Sequence, residues 1–273
     1  GTYAVGMPSV HALYRHPIKG FNPEYPRELV LTGDGRIEGD RVLAFRFPRG
    51  AEPQDQEGLD YWPKGDGLCL RDFPTLARLR LDYHDHVVRL ETGGGLLVEA
   101  DSRAEPERIV GAVVEFLRGT EDLDRISRPE NGPVTLVGDG ANARFQDRAK
   151  GYVTLHSRSS LAALEEILGQ ELDEVRFRSN VSVSGLEPWA ENDLIGHRVR
   201  IGEVVFDVEA PIGRCLATHA NPDNGIRDAA VLSTLTRKLG FDKPNFGVLM
   251  VPLPGQEGLR LHVGDDLTDL GTP

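Results

Sequence analysis

Short β-type runs, separated by turns rich in Gly, Pro, Asn and Asp, recur along the whole chain, and this punctuation limits the fold more than any other feature. Helical periodicity interrupts them in three places only, so strands outnumber helices and do not alternate with them regularly. That pattern argues against a doubly wound nucleotide-binding fold. The run Gly93, Gly94, Gly95 precedes a β-type segment rather than a helix, which makes it a turn and not a phosphate loop. With 273 residues, the chain can hold one large or two small domains.

Taken in order, Val10 to Ile18 reads as a strand broken by Pro17, Lys19, Gly20 and Pro23, which puts Lys19 at a strand end. ELVLTGDG and DRVLAFRFP read as two strands of a hairpin with a longer loop, and Arg41 opens the second. Residues 49–67, rich in Pro, Gly and acids, read as a long loop carrying Tyr61 and Trp62. ARLRLDY, VVRLET and GLLVEA predict a three-stranded meander, with His84, Asp85 and His86 as a polar turn rather than a metal site. Ser102 with Glu105 fits a capping box for a helix that carries Ile109, Val110, Val113, Val114 and Leu117 on one face and stops at Gly119.

In the second half, VTLHSRSSLAALEEILG predicts a strand and then a helix with Leu161, Leu164 and Leu168 as its apolar stripe. RFRSNVSVSG predicts a strand on which Arg176, Arg178 and Asn180 share one face. HRVRIG and VVFDVEA predict a hairpin, and Asp228 is expected to cap a helix buried through Val231, Leu232, Leu235 and Leu239.

Charge and apolar content narrow the function. The formal net charge of −12 argues against a general nucleic-acid surface, so any anionic ligand must sit in a local basic pocket. No apolar run approaches the roughly 20 residues needed to span a bilayer, and no basic segment leads into a signal-type apolar core. A cytoplasmic protein without membrane association is expected. Met7, followed by PSVHALYRHPIKG, reads as a natural start, and residues 1–6 are set aside. Two cysteines, Cys69 and Cys215, make neither a disulfide framework nor a four-thiolate iron–sulfur site.

Cys215 has the more informative company. It follows Arg214 in PIGRCLATHANPDNG, at what reads as a strand entrance, and a guanidinium beside a thiol favours the thiolate, which is both nucleophile and soft metal ligand. Taken alone, a cysteine is more often a small packed hydrophobe, and Cys69 is read that way. His219 follows closely and is not assigned to catalysis.

The stretch from HRVRIGEVVFDVEAPIG through Arg214, Cys215, Thr218, Pro222, Asp223 and Gly225 to FGVLMVPLPG and LRLHVGDDL resembles the MOSC domain. That module is shared by the C-terminal part of molybdenum cofactor sulfurase, the mitochondrial amidoxime reducing component and bacterial MOSC reductases. Upstream, HPIKG resembles the Tyr-Pro-Val-Lys-Ser motif of the MOSC-associated N-terminal domain at Pro17 and Lys19, and GDRVLAF resembles its Asp-Arg motif at Asp40 and Arg41. The resemblance implies an α+β, mainly β architecture with a few peripheral helices: a β-rich N-terminal domain over 7–125 and a MOSC β-barrel over 126–273.

It further implies a molybdenum-cofactor-dependent oxidoreductase acting on N-hydroxylated small molecules. Lys19, Arg41, Arg178, Asn180 and Arg214 would hold the molybdopterin, and Cys215 would be metal ligand and catalytic residue. Electrons would come from a separate protein of ferredoxin or cytochrome type, or from a small reductant. A module that carries sulfur or cofactor on a Cys215 persulfide is the alternative, and a degenerate anion binder the third reading. Four positions depart from the family pattern: His16 for Tyr, Gly20 for Ser, Ser179 for Pro, and Gly213 where Ser or Cys is common.

Overall fold

The computed structural model describes residues 6–273, so most of the segment before Met7 lies outside the described residues. In chain order, the first half contains β1 (Ser9–Leu13), β2 (Glu28–Val30), β3 (Ala44–Arg46), β4 (Gln54–Gln56), β5 (Leu59–Tyr61), β6 (Arg80–His84), β7 (Val87–Thr92), β8 (Gly95–Asp101), α1 (Pro106–Arg118) and α2 (Leu123–Ile126). The second contains β9 (Thr135–Val137), β10 (Val153–Ser157), α3 (Arg158–Leu168), β11 (Val181–Ser184), β12 (Arg198–Ile201), β13 (Val204–Gly213), α4 (Val231–Ser233), β14 (Asn245–Pro252), β15 (Arg260–His262) and β16 (Leu267–Asp269).

Seven strands form the main sheet in the order β1-β11-β10-β14-β13-β12-β16. Only β10 and β11 pair in parallel, joined through α3 as such a crossover requires. The two sheet edges meet: Val10 N–H donates to the Asp265 carbonyl at 2.8 Å and Leu267 N–H to the Pro8 carbonyl at 2.8 Å. The sheet is therefore a nearly closed barrel, which leaves little edge to aggregate. Alternate residues of its strands, among them Val181, Val183, Val199, Ile201, Val204, Phe206, Val208, Val248 and Met250, fill the interior.

A second core lies in the first half, where α1 packs Ile109, Val113 and Leu117 against Leu81, Val88, Leu90 and Val98 of the β6-β7-β8 meander. This meander and its Asp85–His86 turn match the sequence pattern, both turn residues taking positive φ. The two halves interleave. β1 pairs with β11 in the barrel, and β2 pairs with β15.

Several expectations need correction. The first strand ends at Leu13, before Pro17. β2 and β3 do not form a hairpin: the chain turns back locally at Leu31 and Ile37, and β3, buried at all three residues, pairs with β9. Residues 49–67 hold a small β4–β5 hairpin rather than an open loop. The capping box is absent because Asp101 Oδ1 takes the Arg103 and Ala104 amides at 2.8 and 3.1 Å, and α1 starts instead at Pro106, where no N–H needs a partner. Asp228 caps no helix. It pairs with Arg176 at 2.6 Å, and the short α4 begins at Val231 and runs into a π-turn over Thr234–Lys238.

The hairpin of β12 and β13 and the strand-helix unit of β10 and α3 form as the periodicity predicts. Ser157 Oγ caps α3 by accepting from Ser159 N–H at 3.2 Å, and Gly169, at φ 72°, closes its far end. Among the described residues, no helix is long and apolar enough to cross a membrane.

Candidate functional site

Cys215 stands at a strand exit, not an entrance. β13 slips register twice against β14, between Val208 and Ala210 and again between Pro211 and Gly213, and such bulges re-aim the side chains that follow. The chain then leaves the sheet, and Cys215 starts a 3-10 turn over Leu216–His219. Thr218 fixes that turn: its N–H and Oγ1 both donate to the Cys215 carbonyl, at 3.1 and 2.9 Å. The Pro222–Gly225 turn does not line the site but docks on the first half, with Asn22 Nδ2 donating to the Pro222 carbonyl at 3.2 Å. Gly225 sits at φ 74° where a Cβ would come within 2.2 Å of the Pro74 carbonyl oxygen, so only glycine allows the approach. His219 accepts from Leu232 N–H at 3.1 Å and serves the local fold.

Cys215 lines a cleft of about 140 Å³ between the barrel and the first half. Lys19, Arg41, Arg178 and Arg214 line it too, so four of the five expected cofactor anchors converge on the cysteine. Asn180 does not. It is fully buried and knits three strands, its Oδ1 accepting from Thr154 N–H and Oγ1 at 3.2 Å and its Nδ2 donating to the Tyr14 carbonyl at 3.2 Å.

The placing of the arginines differs from the strand reading. Residues 174–177 form a 3-10 turn, and Arg178 follows it at φ 52°, before β11 begins at Val181. Arg176 and Arg178 therefore do not share a strand face with Asn180. Glu174 holds the turn, its carboxylate accepting from Tyr14 Oη, His156 Nε2 at 2.8 Å and Ser182 Oγ. Burial opposes that charge, but His156 and the two hydroxyls together hold the Glu174 carboxyl down at about 2.

Arg41 also has positive φ, 51°, and reaches the Arg178 carbonyl through Nη2 at 3.2 Å. Its Nη1 donates to Asp40 Oδ2 at 2.7 Å. Asp40, itself fully buried, also accepts from His16 N–H at 2.7 Å. Two non-glycine residues in the left-handed region, touching each other beside a cleft, are a form of local strain that clusters at functional sites.

Arg214 points away from its neighbouring thiol. Its Nε donates to the Phe246 carbonyl at 2.8 Å and its Nη1 to the Phe177 carbonyl. The cation within reach of the sulfur is Lys64, whose Nζ lies 3.6 Å from Cys215 Sγ. Burial and neighbouring cations, Arg41 for Arg178 and Arg148 for Arg214, lower these guanidinium groups to about 10 and about 9, which leaves both charged at neutral pH. Lys19, only 5% exposed, is also lowered by burial, against the pull of Asp147.

Sequence reasoning missed Lys64, Arg71, Asp147 and Arg148 as lining residues, and Arg176 as a buried partner of Asp228. Lys64 sits just beyond the β4–β5 hairpin in a segment read as open loop, and Asp147 and Arg148 lie in the irregular run between β9 and β10. No periodicity marks such positions. Cys69 is buried beside the cleft, and burial and Asp72 push its thiol up to about 11. Both cysteines are free.

The donor set suits an anionic ligand with a soft metal. Arg178 Nη1, Arg214 Nη2 and Arg176 Nε are buried without a hydrogen-bond partner, a costly state for a charged donor that a phosphate oxygen would relieve. The two glycine departures differ in kind. At Gly20, φ is 84° and a Cβ would stand 3.0 Å from the Leu68 carbonyl oxygen, whereas at Gly213 nothing lies nearer than Asn245 Oδ1 at 3.8 Å. A side chain is strained at the first position and would fit at the second. Among the described residues, no group of three or more His, Cys, Asp or Glu could hold a metal ion.

The sequence model of the MOSC domain matches residues 142–268. The chain is 35% identical to molybdenum cofactor sulfurase of Drosophila grimshawi over 120 residues, 42% of this chain and 15% of the sulfurase. Against the sulfurase of Drosophila mojavensis it is 33% identical over 116 residues, 42% of this chain and 14% of that one. The chain thus spans about a seventh of the length of these relatives. Among solved structures, it is similar to the YuaD protein of Bacillus subtilis, with TM-score 0.40 and 11% identity over 96% of this chain and 94% of that one. It is also similar to YiiM of Geobacillus stearothermophilus, with TM-score 0.32 and 17% identity over 43% and 53% of the two chains.

Proposed function

Given that this chain is a member of the MOSC domain family, related to molybdenum cofactor sulfurase, we propose that its cleft binds a molybdenum cofactor and that the protein reduces N-hydroxylated small molecules. One observation carries the reading: Cys215 shares a single cleft with Lys19, Arg41, Arg178 and Arg214, on a chain whose net charge is −12. Cations gathered against the overall charge need an anion to hold them together.

Arg178 and Arg214, with their unpartnered buried donors, would take the phosphate of the pterin, and Arg41 would hold Arg178 by its carbonyl. Cys215 would ligate the metal through sulfur, and the pterin would supply the remaining soft donors, since the protein offers no other cluster among the described residues. Bound there, the cofactor would supply two-electron chemistry for removing oxygen from an N-hydroxy group, which with two protons yields the amine and water. The electrons would come from a separate protein of ferredoxin or cytochrome type, because two free cysteines provide no iron–sulfur cluster.

The test is elemental analysis for molybdenum, with pterin detection, on protein from a host that makes the cofactor. Stoichiometric molybdenum that is lost in Cys215→Ser, together with turnover of an N-hydroxy substrate, supports the reading. Absence of metal and pterin from a host shown to load a related reductase overturns it.

A second reading, a carrier of sulfur on a Cys215 persulfide, draws on Lys64: the Cys215 thiolate would take the outer sulfur of a separate donor's persulfide, the donor leaving as its thiolate, and the ammonium 3.6 Å from Sγ would steady the resulting persulfide anion. It would give a persulfide mass on Cys215 and no turnover.

A further inference from the structure

The charges of the cleft fall into two unlike groups. The lysines already have an anion, and it is the protein's own. Asp147 Oδ1 accepts from Lys19 Nζ at 2.6 Å, and its Oδ2 lies 3.7 Å from Lys64 Nζ. Arg178 Nη1 and Arg214 Nη2, by contrast, are buried and have no partner. Asp147 is the one acid among the residues that line this cleft.

Little holds the carboxylate besides those two lysines. Its side chain is 52% exposed, it belongs to an irregular segment between β9 and β10, and both polar atoms of the neighbouring Gln146 side chain lack hydrogen bonds. The anchor of the segment is Phe145, buried against Trp62, two residues away. A swing of the Asp147 side chain would therefore break two ion pairs and leave the packed residues in place. Staying would set a carboxylate against any second anionic group that reached the lysines.

We propose that the cleft has two anion positions and that Asp147 is the internal occupant of the one at Lys19 and Lys64. A ligand with one oxyanion settles on the unpartnered arginine donors with Asp147 in place. A ligand with two must displace the carboxylate, so Asp147 sets the preference of the cleft for singly over doubly phosphorylated ligands. The inference rests on the cleft being an anion site, as proposed above, and not on molybdenum.

The experiment is calorimetric titration of the whole chain, free of cofactor, with inorganic phosphate and with pyrophosphate, for wild type, Asp147→Asn, Asp147→Ser and Arg178→Gln. Both Asp147 variants should bind pyrophosphate about tenfold more tightly than wild type, the scale of one charge-assisted hydrogen bond, and phosphate with little change. Arg178→Gln should weaken both. Pyrophosphate affinity that is unchanged or reduced in both Asp147 variants, with Arg178→Gln still weakening the two anions, overturns the occupant role and leaves the anion site standing. If no variant binds either anion, both inferences fall.

Discussion

Lys64 Nζ lies 3.6 Å from Cys215 Sγ, across the cleft and 151 positions away in the chain. The contact joins a turn of the first half to the bulged end of a barrel strand, where Cys215 is partly exposed while Cys69 is buried a short way off. The two thiols should therefore behave differently.

Under native conditions at pH 7.5, iodoacetamide should label one cysteine per chain, at Cys215, since burial shields the Cys69 thiol and raises it to about 11. Peptide mass mapping checks this, and Cys69 should react only after denaturation. Equal labelling of the two under native conditions would contradict the geometry.

The two glycines that depart from the family pattern should answer differently to serine. Gly20→Ser meets the Leu68 carbonyl with positive φ and should destabilise by about 1–3 kcal/mol. Gly213→Ser has room and should stay within about 0.5 kcal/mol of wild type. Urea unfolding compares them, and equal midpoints would refute the assignment.

Glu174 should contribute to the acid side of the stability profile. Its folded pKa is depressed to about 2, so its stabilisation is present above the unfolded value of about 4.3 and is lost as pH falls through about 2. Glu174→Gln should lower stability at pH 7 by about 3 kcal/mol and flatten that arm of the curve. Denaturant melts from pH 7 to pH 2 provide the measurement, and parallel profiles for the two proteins would count against it.

Asn180→Ala should separate support from binding. It removes the buried ties to Thr154 and Tyr14 and should cost about 2–4 kcal/mol, with phosphate affinity unchanged at temperatures where the variant is folded. A loss of phosphate affinity matching that of Arg178→Gln would return Asn180 to the ligand.

Periodicity made the meander, α1, α3 and the β12–β13 hairpin legible, because each depends on residues near one another in sequence. It failed where distant partners compete for a segment. Asp228 is drawn to Arg176 rather than to a helix end, β3 finds β9 some ninety residues on, and β2 finds β15 near the end of the chain.

The site divides in the same way. The residues from Arg214 to Gly225, with Lys19 and Arg41 in order before them, already pointed from sequence to the family and to a cysteine among cations. Which cation faces the sulfur was not readable there. Adjacency in sequence put Arg214 beside Cys215, but the bulged exit of β13 turns that guanidinium into the carbonyls of Phe177 and Phe246. Lys64 opens a single 3-10 turn and Asp147 and Arg148 lie in an irregular segment, where no sequence repeat sets side-chain direction, and only tertiary packing brings them to the cleft. Sequence determined the family, the strand-rich class and the cysteine. Long-range packing decided which charges meet there, because charge pairing depends on distance through space and not along the chain.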